Sequence, residues 1–370
     1  MRAFAATVLV SIALVIAVNG AALLDRSRQD ERIRTAAAAL QPGLAMVFDG
    51  FVDERRFQKA RLAVIPPPRL TTFGSSRVRE VSTDLVHARP GAFYNLGMSA
   101  AMVEDYIALW SLIEARGIRP RVAVFAVDAW VFNASHEQRL WRALAPEVSR
   151  FLDGAAGDLS GRWRPLQGAL AGWDQIKEMV SFTALQASLR DLERTIARRK
   201  RPGDDLLRAL GGAVVPEETI EGRHAIRADG SVIRPVSPRD PTPADVREAV
   251  LRHVAAGPYG LENFRWNPDA AAALDRLWRD MRARGVELVV YAPPYHPAAW
   301  EALRRDRRYR AALDASAAGL ARLARAVGAR FLDASDPAVV PCPEAEFYDM
   351  QHTTPACLAR LWTRLLPPGQ

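Results

Sequence analysis

Three stretches of this chain obey one pattern: a helical run, a glycine, then a short run rich in β-branched and aromatic residues. They are "SAAMVEDYIALWSLIEARG" leading to "RVAVFAV", "AAALDRLWRDMRARG" leading to "VELVVYA", and "AAGLARLARAVG" leading to "ARFLDA". In the first, Met102, Val103, Tyr106, Ile107, Trp110 and Ile113 recur at helical spacing on one face. Gly117 closes that helix and Pro120 prevents its continuation. Strands that alternate with crossover helices build parallel sheets, and a parallel sheet needs cover on both faces. With the apolar run before Gly74 and "FYNL" at residues 93–96 added, the pattern predicts an α/β fold with about five parallel strands.

At 370 residues, 49% of them hydrophobic, the chain has material for one large core or two modest ones and does not belong to the disordered class. Residues 4–24, "FAATVLVSIALVIAVNGAALL", carry no charge and follow Arg2. A stretch of this length spans a bilayer as a transmembrane helix. Two readings follow: an uncleaved signal anchor in the inner membrane, or a signal peptide cut near Val18-Asn19-Gly20. Either one places the rest of the chain outside the cytoplasm, with residues 25–65 as a membrane-proximal helix and loop and residues 66–370 as the main domain. In that setting Cys342 and Cys357, the two cysteines of the sequence, are either a disulfide or a pair of buried thiols.

The formal net charge of +8 is nearly all arginine, since lysine occurs at Lys59, Lys177 and Lys200 alone. Arginines sit among acids, as in "RLWRDMRARG" and "EALRRDRRYR", which reads as solvated helix faces. No aromatic-interleaved basic motif points to nucleic acid. Between the third and fourth strands lies a long insertion, about residues 134–268, with a helical stretch from Asp174 to Lys200, a proline-rich span, and "HAIRADGSVIRP", which reads as a hairpin turning at Asp229-Gly230. Insertions of this length cover or shape a site.

Ligands of open parallel sheets bind beyond the carboxyl ends of the strands. The residues at those positions are Gly74-Ser75-Ser76, then "NLGMS" from Asn95 to Ser99, then "DAWVFN" from Asp128 to Asn133, then "PPYHP" with His296, and after the last strand "FYDMQHTTPACLARLW". Ser76 can be a nucleophile, or a small polar residue there can cap the next helix. Asp349 three residues before His352 places a carboxylate and an imidazole in one turn, where the acid can orient the base. Ser99 in "GMSAA" has the Gly-x-Ser start of a rival nucleophile elbow without its final glycine. His296 fits the site's rim or a structural role. There is no P-loop, no Gly-x-Gly-x-x-Gly before a helix, and no His or Cys pair at metal spacing, so the reading assigns neither cofactor nor metal.

In order and spacing, Gly74-Ser75-Ser76, the glycine of "NLGMS", the polar residue after the third strand and the C-terminal Asp-x-x-His resemble the blocks of the SGNH (GDSL-like) hydrolase and acyltransferase superfamily, over most of the chain after about residue 65. The resemblance implies a flavodoxin-like three-layer sandwich. It makes Ser76 the nucleophile, His352 the general base and Asp349 its orienting acid, with the N–H groups of Ser76 and Gly97 in an oxyanion hole. Two positions depart from the pattern: Ser75 replaces the usual acid of the first block, and Asp128 stands where an asparagine is expected, with Asn133 five residues later. Asn133 is therefore expected as the third oxyanion donor and Asp128 as a structural or substrate-orienting residue at the rim.

The layout is also similar to the membrane-anchored D-alanyl transfer proteins of teichoic acid modification and, more loosely, to periplasmic alginate O-acetyltransferases, in which acid and histidine precede the serine. That likeness implies acyl transfer to a cell-envelope polysaccharide, with an integral membrane acyl carrier supplying the acyl group. A periplasmic esterase acting on small esters and a non-catalytic polysaccharide-binding protein on the same scaffold are the alternatives.

Overall fold

The computed structural model describes residues 30–47, 53–153, 213–220, 222–234 and 240–366. Residues 30–39 are helical (α1) and are followed by β1 (Leu44–Val47), α2 (Glu54–Leu62), β2 (Leu70–Phe73), β3 (Phe93–Asn95), α3 (Val103–Ala115), β4 (Val122–Ala126) and α4 (Ala145–Asp153). Then come β5 (Ala213–Pro216), β6 (Ala225–Arg227), β7 (Val232–Ile233), α5 (Pro243–Ala256), α6 (Pro268–Ala283), β8 (Glu287–Ala292), α7 (Pro297–Arg305), α8 (Arg307–Ala326), β9 (Arg330–Asp333) and α9 (Pro355–Leu365). The predicted helix at Asp174 to Lys200 and the apolar segment 4–24 lie outside the described residues. Among the described residues no helix is long and apolar enough to cross a membrane.

The main sheet has five parallel strands in the order β3-β2-β4-β8-β9. In chain order this is 2-1-3-4-5, the doubly wound order whose switch point falls between the first and third strands. Here that crevice lies between β2, which feeds Ser76, and β4, which feeds Asp128. Along β4, Ala123 and Phe125 join a core under α3 and α6, whereas Val124 and Ala126 join a second core under α9; Leu288 and Val290 of β8 part from Val289 and Tyr291 in the same way. Side chains of successive strand residues point to opposite faces, so both faces of the sheet are buried. Phe73 stacks on Phe125 with ring centroids 4.5 Å apart, and Trp278 of α6 meets Phe125 edge-on at 5.6 Å. All five strands read from the sequence are present.

The sequence does not announce a second sheet. It is antiparallel, in the order β5-β1-β6-β7. β1 comes from the segment read as a membrane-proximal helix and loop, and it pairs with β5 and β6 of the insertion. The predicted hairpin is β6 and β7, turning at Asp229-Gly230, with Gly230 at φ +81°. Its tip reaches the main sheet: the Asn95 N–H donates to the Asp229 carbonyl (2.7 Å), and the Asp229 carboxylate accepts from the Thr83 N–H (2.6 Å) and hydroxyl (2.7 Å). A Cβ at position 230 would collide with the Asn95 carbonyl oxygen, so glycine is needed there for close approach as well as for its positive φ. The insertion therefore closes against the carboxyl end of β3, beside the turn that carries Ser76.

Candidate active site

β2 ends at Phe73 and the chain turns at once into a short 3-10 helix, Ser76–Val78. Gly74 has no positive φ; what demands glycine is packing, because a Cβ there would lie 2.9 Å from both Val78 methyls and 3.0 Å from Ala126 Cβ. The two serines differ in what they touch. Ser75, fully buried, is the cap, its hydroxyl accepting from the Arg77 N–H (3.3 Å). Ser76 leaves its Oγ 2.7 Å from His352 Nε2.

The histidine arrives on a tight turn before α9. Phe347 and Thr353 form an antiparallel bridge, the Tyr348 N–H donates to the His352 carbonyl (2.9 Å), and the Thr354 N–H donates to the Glu346 carbonyl (2.8 Å). At the tip, Asp349 Oδ2 lies 2.7 Å from His352 Nδ1, while Asp349 Oδ1 accepts the N–H groups of Gln351 and His352, each at 2.9 Å. Partial burial opposes ionisation of Asp349, but the hydrogen bond and charge of His352 and the two backbone donors outweigh it and hold the carboxyl well below the usual carboxylate range. At neutral pH this residue is thus an ionised acceptor, able to fix the imidazole tautomer that leaves Nε2 free for the serine proton. Ser76 and the turn of Asp349 and His352, far apart in the chain, thus form one hydrogen-bonded line.

The disulfide is formed. Cys342 and Cys357 bracket the turn with Cα atoms 5.3 Å apart, and Cys357 belongs to the first turn of α9. Closing a loop of 15 residues stabilises a fold by about 3 kcal/mol in the chain-entropy account. We expect the Cys342→Ser/Cys357→Ser variant to lose about that much in urea denaturation and to lose serine reactivity at reductant-free conditions in which its circular dichroism is still native. Equal reactivity in the two proteins would mean that the bridge does not hold the Asp349 and His352 turn in place.

The expected oxyanion hole needs correction at two of its three members. Asn133 does not face the serine with a free carboxamide: its Nδ2 donates to the carbonyls of Gly260 (2.9 Å) and Glu262 (3.0 Å), and its Oδ1 accepts the N–H groups of Ser135 (2.9 Å) and Arg265 (3.1 Å). The 3-10 turn Ala129–Phe132 intervenes after β4 and delivers Asn133 to the loop at residues 260–265. The Gly97 N–H is also engaged, donating to Asn95 Oδ1 (2.7 Å) inside the protein. Glycine is required at 97 because a Cβ would sit 2.6 Å from Val78 Cγ2. The Ser76 N–H remains; no protein acceptor takes it among the described residues.

Asp128 and His296 also leave the rim. Asp128 is wholly buried and bonds the Arg77 guanidinium at 2.9 Å. Burial pushes its carboxyl up, against the pull of Arg77 and the Ser75 hydroxyl. Arg77 further donates to the Pro294 carbonyl and lies 4.7 Å from the centre of the Tyr295 ring. His296 is buried at the start of α7, where its Nδ1 accepts from the Ala298 N–H (3.1 Å) and its own N–H donates to the Met350 carbonyl (3.0 Å). That backbone bond ties it to the turn that carries Asp349 and His352. The rival Ser99 meets no imidazole: its hydroxyl donates to Glu54 (2.9 Å) and accepts from Arg79 (3.2 Å).

Two residues that matter here carry no assigned role in the sequence reading. Arg77 follows Ser76 directly, and its meeting with Asp128 was signalled only by opposite charges at the ends of two strands that become neighbours. Asn95 ends β3 and clasps the serine turn, its Nδ2 donating to the carbonyls of Val78 (2.7 Å) and Val81 (2.8 Å). Comparison of the sequence with protein-family models and with curated proteins finds no match.

Proposed function

We propose that this protein is an extracytoplasmic serine acyltransferase, which moves an acyl group, acetyl being the first choice, onto a hydroxyl of a cell-envelope polysaccharide or exopolysaccharide through an acyl-serine intermediate. The observation that carries the reading is the line from Ser76 Oγ through His352 to Asp349, with 2.7 Å at each junction. As Ser76 Oγ attacks the acyl carbonyl carbon, His352 Nε2 takes the hydroxyl proton and Asp349 stabilises the imidazolium that results. The tetrahedral intermediate collapses as His352 returns that proton to the leaving group. An acceptor hydroxyl then attacks the acyl-serine in the reverse sense, giving up its proton to His352 and restoring Ser76. The Ser76 N–H is the donor this chain offers to the oxyanion.

The resemblance to the SGNH superfamily, the apolar segment at residues 4–24 and the disulfide support an exported acyl-transfer enzyme, since structural disulfides persist in oxidising compartments. An integral membrane acyl carrier is the implied donor of the acyl group. One observation favours hydrolysis as a second reading: the Asp349 side chain is 50% exposed, so water reaches the edge of the triad. The two readings separate when the protein is incubated with 4-nitrophenyl acetate and a neutral oligosaccharide. Transfer predicts acetylated oligosaccharide by mass spectrometry, at the expense of free acetate; an esterase yields free acetate alone whatever the acceptor concentration.

A further inference from the structure

The segments that carry the nucleophile and the base meet at a second place, away from the reacting atoms. Glu80 stands four residues after Ser76 on the same turn, and one of its oxygens accepts a hydrogen bond from the Tyr348 hydroxyl at 3.1 Å. Tyr348 precedes Asp349, and its N–H closes the turn by donating to the His352 carbonyl at 2.9 Å. The other Glu80 oxygen accepts from Arg234 Nε at 2.9 Å. The Arg234 guanidinium in turn lies 4.5 Å from the centre of the Tyr348 ring, near enough for a cation–π contact. Arg234 directly follows β7, and the Val232 N–H donates to the Arg79 carbonyl at 2.7 Å, so the insertion hairpin is fixed to the serine turn at the residue before Glu80.

We infer that Glu80, Tyr348 and Arg234 form a latch that sets the serine turn and the histidine turn in register, with the insertion hairpin as its third arm. The inference rests on the reading of Ser76 and His352 as nucleophile and base. The three are positioning residues, since none of them touches the Ser76 and His352 junction. Glu80 is the member they share. Its side chain is 11% exposed, and charge-assisted bonds at both of its oxygens leave it few alternative rotamers. A latch of this kind matters because a misplacement of about 1 Å in a reacting pair can lower a rate by about 100-fold. The insertion then does more than cover the sheet, because one of its residues helps to keep the triad aligned.

The test uses the full-length protein in detergent, with two readouts: the rate of covalent labelling of Ser76 by a fluorophosphonate, and the proton NMR signal of the His352 Nδ1–H bonded to Asp349. We expect Tyr348→Phe, which keeps the ring and removes the hydroxyl, to slow labelling at least tenfold and to broaden or shift the Nδ1–H signal, at unchanged thermal stability. Glu80→Gln, which still accepts from Tyr348 but loses the charge that pairs with Arg234, should fall between Tyr348→Phe and wild type. The double variant should be no slower than Tyr348→Phe, because members of one network are not additive. Wild-type rate and an unmoved Nδ1–H signal in Tyr348→Phe would overturn the latch, as would effects of the two substitutions that simply multiply. If the wild-type protein does not label, the nucleophile reading falls, and the NMR signal still decides whether the latch holds the histidine turn.

Discussion

Alanine at position 352 should lower acyl turnover by about 10⁶-fold, since removing the base of such a triad costs nearly as much as removing the nucleophile. Among the described residues, His352 is the group placed to accept the Ser76 hydroxyl proton, at 2.7 Å, and the serine at its own pKa is a weak nucleophile. Asp349→Asn should be milder, at about 10⁴-fold. An amide at Oδ2 can present a donor to Nδ1 and so favour the tautomer with its proton on Nε2, facing the serine. The fold should survive both changes, because Asp349 is half exposed and the turn keeps its backbone bonds to Glu346 and His352. Steady-state hydrolysis of 4-nitrophenyl acetate, with single-turnover acylation as a control, checks both values. A similar residual rate in wild type and His352→Ala would show that the turnover does not pass through this triad.

The largest expected loss of stability is at Arg77. Its ion pair with Asp128 is almost completely removed from water, with side chains 2% and 0% exposed. Arg77→Met leaves a buried carboxylate without its partner, which costs about 3–5 kcal/mol. The double change Arg77→Met/Asp128→Leu removes both charges and should recover most of that, ending nearer to wild type than either single variant. Urea denaturation of the four proteins measures the cycle. Because Arg77 also holds the Pro294 carbonyl and packs on Tyr295, both variants that lack it should loosen the chain next to Ser76 and slow acylation, even where the double variant recovers stability. A single variant as stable as wild type would mean that water or another cation serves Asp128.

What was legible in the sequence was whatever declares itself locally. Val122–Ala126, Glu287–Ala292 and Arg330–Asp333 are short runs after a glycine, behind helices with a 3.6-residue period, and Leu70–Phe73 is an apolar and β-branched run that stops at Gly74, so all four could be read without knowing their neighbours. The ends of those strands then pointed to Ser76, Asp128 and the turn with Asp349 and His352, because parallel sheets present ligands there. The second sheet was not legible. β1 is four residues long and pairs with strands about 170 residues away, and a strand whose partner is distant has no turn signal beside it. Asn133 shows the same limit at one side chain. Its place after β4 was read correctly, but the direction of its carboxamide depends on the loop at residues 260–265 that folds back to receive it. The clasp that Asn95 makes on the serine turn consists of two bonds from Nδ2 to carbonyls, and backbone carbonyls have no signature in a sequence.

The proposed acyl transfer stands or falls with Ser76 as an activated nucleophile. Fluorophosphonate labelling of the folded protein, with the modified peptide found by mass spectrometry, tests it most directly in wild type, Ser76→Ala, Ser99→Ala and His352→Ala. One adduct is expected, on Ser76, absent in Ser76→Ala, strongly reduced in His352→Ala and unchanged in Ser99→Ala. A folded wild-type protein that takes no label, or one whose label sits on Ser99, would contradict it.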